Sequence, residues 1–241
     1  MIPLRDDNPT SITPAITVGL IAMNVVVFLY QLSLGPQGER LLVYQYGSIP
    51  SVIFGAQKLP TDVQVIPPTL SLFTSMFLHG GFMHLIGNML YLWIFGNNIE
   101  DAMGHVRYVV FYLVTGLAAS LAHAFTNPGS IVPAIGASGA ISGVLGAYLL
   151  LYPRAQVLVL IPIIGFFSRL MYIPAGFALG IWFLFQLVSG GLSAGQPGGG
   201  VAWFAHIGGF LAGMLLVGVF KRRSVRFFNP PHHHSGRIEN W

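Results

Sequence analysis

Four polar side chains lie inside otherwise apolar, uncharged stretches of this chain. They are Ser138 in Ile135-Gly136-Ala137-Ser138-Gly139-Ala140, His206 in Ala205-His206-Ile207-Gly208-Gly209, and His84 with Asn88 in the run that opens at Phe82. Polar and ionisable groups are costly in hydrocarbon surroundings, which makes them functional suspects there by default. A serine hydroxyl becomes a nucleophile when an imidazole accepts its proton. A histidine and an asparagine four residues apart share one helical face and can donate hydrogen bonds to the oxyanion formed at an attacked carbonyl. The chemistry within reach of this set is acyl transfer through serine. It requires that the residues lie at one depth, that their helices approach closely, and that water reaches them.

Taken singly, each residue has a plainer reading. An intramembrane serine usually bonds to its own helix, as expected for Ser142 and Ser189, and a lone buried histidine is more often a satisfied core residue. A rival function is a transporter or channel that uses His79, His84, Asn88 and His206 as a metal or proton path. The core spans carry no carboxylate and the chain has no inverted repeat, both common in transporters.

Composition defines the setting. Hydrophobic residues make up 54% and charged residues 7% of the 241, against about 25% charged in a soluble domain. This predicts an all-α integral membrane protein. The absence of cysteine removes thiol nucleophiles, disulfides and Cys-ligated zinc. The start, Met1 to Asp7, lacks the basic segment and immediate apolar core of a cleaved signal, so the first apolar run is expected to stay as an anchor. The net charge of +4 is spread along loops. Lys221-Arg222-Arg223 directly follows an apolar run and suits a helix end at the lipid headgroups better than a nucleic-acid face.

Six spans are predicted: Ile16 to Leu34, Phe82 to Ile99, Tyr108 to Phe125, Ala137 to Leu151, Leu170 to Val188 and Val201 to Phe220. Asn127-Pro128-Gly129-Ser130 and Pro133 divide the third from the fourth. Val157 to Phe167, broken by Pro162 and Gly165, reads as an interfacial or re-entrant connection. The long connection Gly35 to Phe77 is expected to lie partly in the interface, and the glycine-rich Ser189 to Gly200 to be mobile. Residues 1–15 read as a cytoplasmic segment, 16–220 as the membrane domain, and 221–241, with His232-His233-His234, as a cytoplasmic, disordered basic tail. With both termini inside, nine Lys and Arg are cytoplasmic and two, Arg40 and Lys58, are outside, in line with the positive-inside rule.

Helix rise converts sequence position into depth. Measured back from the inner ends of their spans, Ser138 lies at about 21 Å, His206 at about 22 Å, His84 at about 24 Å and Asn88 at about 18 Å. In a hydrocarbon core about 30 Å thick, all four share one level. The fourth span reaches only about 22 Å, so it must start inside the bilayer, where irregular backbone is tolerated beside protein or a wet cavity. Its N-terminus presents free N–H groups to an anion. Small-residue stripes, Ser138/Ser142/Gly146 and Gly209/Gly213, predict close approach of the fourth and sixth spans. Glu100 and Asp101 lie at the far end of the second span, so a Ser138–His206 dyad is expected, with His206 held by packing rather than by a carboxylate. His84, Asn88 and the backbone N–H of Ser138 are the expected oxyanion donors.

Together these motifs resemble the rhomboid intramembrane serine proteases of bacterial type. They are His79-Gly80-Gly81-Phe82-Met83-His84-Leu85-Ile86-Gly87-Asn88, Gly96-x3-Glu100-x3-Gly104, Gly136-Ala137-Ser138-Gly139 and Ala205-His206-Ile207-Gly208-Gly209. The resemblance implies a six-helix rhomboid fold in the cell membrane that cleaves single-span membrane proteins without cofactor or metal. It implies Ser138 as nucleophile, His206 as base, and His84 and Asn88 at the oxyanion, with His79, Gly136, Gly139, Ser142, Gly209 and Glu100 in support. Glu100 is expected to tie the second helix to a neighbour. Some members of the family carry an aromatic residue four positions after the nucleophile, packed on the histidine ring. Here that position is Ser142, so His206 must be oriented another way, by a hydrogen bond or by the loop. An inactive relative that binds membrane proteins without cutting them is the third reading, and retention of both Ser138 and His206 argues against it.

Overall fold

A computed structural model describes residues 1–162, 168–193 and 201–229. The chain runs through β1 (Ile2–Asp6), α1 (Ala15–Ser33), α2 (Gly35–Tyr46), α3 (Pro50–Ile53), α4 (Ser71–Thr74), α5 (Phe82–Met103), α6 (His105–Thr126), α7 (Ser138–Leu151), β2 (Gln156–Pro162), β3 (Ser168–Pro174), α8 (Ala175–Ser193) and α9 (Trp203–Phe220). Among the described residues, α1, α6, α8 and α9 are long and apolar enough to cross a membrane. Helix α5 joins them when taken with the segment Pro68–Phe77, from which it bends by 82°. Helix α7, with 14 residues, spans about 21 Å and is the short member of a six-helix multi-pass bundle. Side chains such as Leu215 and Val219 stand exposed on its outside, as a lipid-facing surface requires.

The first helix has no side-chain cap of its own, since Pro14 precedes it. Glu100 of α5 supplies one from outside. Its carboxylate accepts from the N–H of Ile16 (2.9 Å), the N–H of Thr17 (2.7 Å) and the Thr17 hydroxyl (2.7 Å), and His105 Nδ1 lies 2.6 Å away. A negative charge at exposed first-turn amides satisfies orphan donors and the helix dipole together. Glu100 therefore ties α5 to α1. The buried polar residues of α1 recur every seven positions, Thr17, Asn24 and Gln31, which keeps them on one inward face.

Helices α7 and α9 run parallel and touch backbone to backbone. A Cβ placed on Gly209 would meet the Gly139 carbonyl, one on Gly213 the Gly143 carbonyl, and one on Gly146 the Phe210 carbonyl. On its other side α7 presses on α6, where a Cβ on Gly139 would lie 2.6 Å from Ala119 Cβ. Such contacts bring dispersion and weak Cα–H···O interactions into range. Ser142 is buried on the same helix. Its hydroxyl donates to the Ser138 carbonyl within α7, at 2.6 Å.

The bundle is helical as expected, and a small sheet is added at the C-terminal end of α7. There β1, β2 and β3 form an antiparallel sheet in that order. Of the apolar piece Val157 to Phe167, the part up to Pro162 is thus strand β2 rather than a re-entrant connection, and residues 163–167 lie outside the described residues. Val157 and Val159 point inward and are buried, the period-2 pattern of a half-buried strand. Residues Leu170 to Pro174, read as the start of a span, belong to β3; the residue before a proline disfavours helix, and α8 begins after Pro174. The segment 221–229 is docked rather than disordered. Its Phe228 and Asn229 N–H groups donate to the carbonyls of Leu150 and Leu151, each at 2.9 Å, satisfying the last turn of α7. The expectations for 194–200 and for His232-His233-His234 lie outside the described residues.

Two predictions follow from this packing. Gly213→Ala should lower thermal stability in detergent by about 1–3 kcal/mol, whereas Gly180→Ala, where an added Cβ meets nothing within 4 Å, should leave it unchanged; equal melting of the two would refute the backbone contact. The second concerns Asp6 on β1, whose carboxyl accepts from Tyr148 Oη at 2.6 Å. Burial pushes this carboxyl up from 3.8 to about 7, the hydrogen bond from Tyr148 opposing it. The docked strand therefore holds a proton that the free strand releases, and docking weakens as pH rises through that window and is flat above it. Hydrogen exchange at residues 2–6, corrected for intrinsic rate, should rise between about pH 4 and about pH 7, and Asp6→Asn should abolish the rise.

Candidate active site

The site forms where α5, α7 and α9 begin, at one end of the bundle. The turn before α7 is set by the connection that follows α1. Ser48 and Ala134 exchange backbone hydrogen bonds (3.0 and 2.8 Å), Ser51 N–H donates to the Ser130 carbonyl (3.0 Å), and Gly136 N–H donates to the Ser75 carbonyl (2.9 Å). Gly136 has φ +123°, a conformation that favours glycine. A Cβ there would also lie 2.7 Å from His84 Nε2. The tight turn lets Ser138 be the first residue of α7, so its own N–H belongs to the free first turn.

Ser138 Oγ lies 2.8 Å from His206 Nε2. The other imidazole nitrogen, Nδ1, lies 2.8 Å from Gln186 Oε1 on α8. The Gln186 amide is oriented by its own helix, because its Nε2 donates to the Trp182 carbonyl at 3.3 Å. With Oε1 thus facing the ring, Nδ1 carries the hydrogen and Nε2 presents its lone pair to the serine hydroxyl. Trp182 and Trp203 flank the imidazole, with centroids at 6.0 and 6.3 Å and interplanar angles of 35° and 88°.

His84 and Asn88 occupy the first two turns of α5 and border the same turn. Gly80 N–H donates to His84 Nδ1 at 3.3 Å, which leaves Nε2 as the protonated nitrogen, directed at Gly136. Asn88 Nδ2 lies 3.0 Å from His79 Nε2; this contact turns the amide donor, not its oxygen, toward that side. The backbone of His79 is clamped by buried Gln31 of α1, whose Nε2 donates to the His79 carbonyl (3.1 Å) and whose Oε1 accepts from its N–H (3.0 Å). A cavity of about 30 Å³ beside Ser138, bordered by Ser75, His123, Gly136 and Ala205, is large enough for one water.

The structure thus brings together Ser138 with His206, and His79 with His84, Asn88 and Gly136. Gly139 and Gly209 serve the helix contact, Ser142 bonds within α7, and Glu100 lies at the other end of α5. Three contributors escaped the sequence: Gln186, Gln31 and the Trp182/Trp203 pair. Gln186 carried a usable signal, since it is a strongly polar residue inside an apolar span, the same criterion that singled out His206.

A family model described as Rhomboid domain matches residues 68–223. The chain is 28% identical over 192 residues to Rhomboid protein 1, mitochondrial, of Saccharomyces cerevisiae, covering 72% of this chain and 51% of that protein. It is 32% identical over 203 residues to Presenilin-associated rhomboid-like protein A, mitochondrial, of Danio rerio, covering 83% and 46%. With Rhomboid-like protease 5 of Toxoplasma gondii it shares 34% over 157 residues, covering 64% and 16%. The chain spans about half the length of these relatives or less. All three are eukaryotic and two bear mitochondrial names, which supports neither the bacterial type nor the cell membrane expected from the sequence. The family match runs from the turns before α5 to the end of α9 and contains Ser138, His206, His84 and Asn88, so the chain belongs to the rhomboid family.

Proposed function

We propose that the protein is an intramembrane serine endopeptidase in which Ser138 attacks a peptide carbonyl and His206 is its base. The observation that carries this reading is the 2.8 Å contact between Ser138 Oγ and His206 Nε2. Oγ bonds to the carbonyl carbon as its proton passes to Nε2. The resulting oxyanion is held by the Ser138 N–H, His84 Nε2–H and Asn88 Nδ2–H. Collapse of this intermediate breaks the C–N bond, and the leaving amine takes the proton from His206. A water then repeats the sequence on the acyl-enzyme and frees Ser138. The water-sized cavity at Ser138 supports this second half.

Substrates in this reading are single-span membrane proteins surrounded by the same lipid. A regular helix keeps its carbonyls in hydrogen bonds, so small or helix-breaking residues near the cut favour cleavage. The nine-to-two division of basic residues supports placing both termini on the cytoplasmic side, with the site toward the opposite face.

Cleavage of a transmembrane reporter in liposomes tests the proposal. Ser138→Ala should abolish cleavage and fluorophosphonate labelling, and undiminished cleavage by the purified variant refutes the nucleophile. Persistent ion flux without cleavage would point instead to the transport reading. His84→Ala and Asn88→Ala should each lower kcat by about 10²–10³-fold with a smaller effect on KM; an unchanged kcat in both removes them from the oxyanion site.

A further inference from the structure

We propose that Gln186 is a positioning residue for His206, holding the imidazole in the tautomer that can deprotonate Ser138. This rests on the assignment of Ser138 and His206 above. Neutral imidazole offers one donor and one acceptor, and only the form with hydrogen on Nδ1 leaves Nε2 free to accept from serine. A wrong tautomer at such a base is nearly as damaging as its loss. Here Gln186 Oε1 accepts from Nδ1 at 2.8 Å, and the residue is 3% exposed, so water does not compete for the bond.

The alternative amide orientation is excluded by local chemistry. Turning the amide over would set its oxygen against the Trp182 carbonyl and its NH2 group against Nδ1. That arrangement breaks the 3.3 Å bond from Nε2 to Trp182 and opposes two acceptors. The chain Trp182 C=O, Gln186, His206, Ser138 therefore has one consistent direction of donation. Trp182, on the same helix, also packs against the ring and against Phe210 of α9, with centroids at 6.0 and 5.9 Å.

A neutral acceptor suits the location. A carboxylate in this place would have to be buried as an ion, at a cost a lone partner does not offset, whereas an amide oxygen orients the ring without adding charge. Both groups that orient His206 from outside α9 ride on α8. That helix has few buried residues, Ala175, Ala178, Leu179, Gln186 and Gly190, and borders an apolar cleft of about 310 Å³ facing Tyr91 and Phe95 of α5.

The test compares Gln186→Met, which removes the acceptor at similar volume, with Gln186→Glu, which keeps an acceptor and adds charge. Reporter cleavage in liposomes is followed across pH, with Ser138→Ala as control. The imidazoles of His84 and His123 also act on His206 and are unchanged in both variants. Gln186→Met should lower kcat by about 10- to 100-fold with KM and melting temperature little changed. The 15N spectrum of His206 should shift from Nδ1–H to a tautomer mixture. Gln186→Glu should recover most of kcat while moving the acid limb of the profile to higher pH, because a carboxylate favours the imidazolium. Wild-type kcat in the Met variant overturns the proposal. If that variant does not fold, an unmoved acid limb in the Glu variant overturns it. Cleavage by Ser138→Ala would instead overturn the underlying assignment of the nucleophile.

Discussion

The site depends on the backbone contact between α7 and α9. A serine side chain is short, and its hydroxyl reaches the imidazole only because Gly139, Gly143 and Gly146 meet Gly209, Phe210 and Gly213 with no side chain between them. In lipid there is little hydrophobic force to press two apolar helices together. Close van der Waals contact at small residues does that instead. The parallel course of the two helices sets both of their N-termini at one level. Ser138, the first residue of α7, then faces the first turn of α9, where His206 lies.

A second constraint is the length of α7. Fourteen residues cannot cross the apolar core, so the helix begins within it and its free amides need partners. The connection after α1 covers this end through Ser48, Ser51 and Ser75. At the other end, the docked segment 221–229 caps the last carbonyls, and Asp6 on β1 accepts from Tyr148. Both described chain ends therefore close over the same end of α7, the helix that carries Ser138.

Much of the site was legible from residue types and spacing. The uncharged runs marked the six apolar helices, and helix rise was enough to set His84, Asn88, Ser138 and His206 at one depth. The three-stranded sheet was not legible, because β1 pairs with β2 across some 150 residues of intervening chain and no local pattern announces such a partner. Ser142 and Gln186 show the same limit within the site. Both are polar residues in apolar helices, yet one bonds within its own helix and the other bonds to His206. The rotation of α7 and α8 about their axes decides this, and their uniformly apolar surroundings leave that rotation open.

By itself the sequence determined the membrane setting, the bundle of apolar helices and the shortness of the fourth, and it singled out Ser138 and His206 as a pair. Each follows from composition, from the 1.5 Å rise per residue or from the cost of polar groups in hydrocarbon, which are local properties of a segment. Only the tertiary structure decided which helix bonds to His206, which glycines make the α7–α9 contact, and that Gln31 holds His79 against Asn88. Those depend on helix rotation and non-local pairing, where one residue's partner is chosen by a segment far away in the chain. The two stripes that stood out in the sequence illustrate the division. Gly209 and Gly213 lie in the contact and so does Gly146, while the missing side chains of Gly139 and Gly143 make room for Ala119 and Thr115 of α6 and leave only their carbonyls against α9.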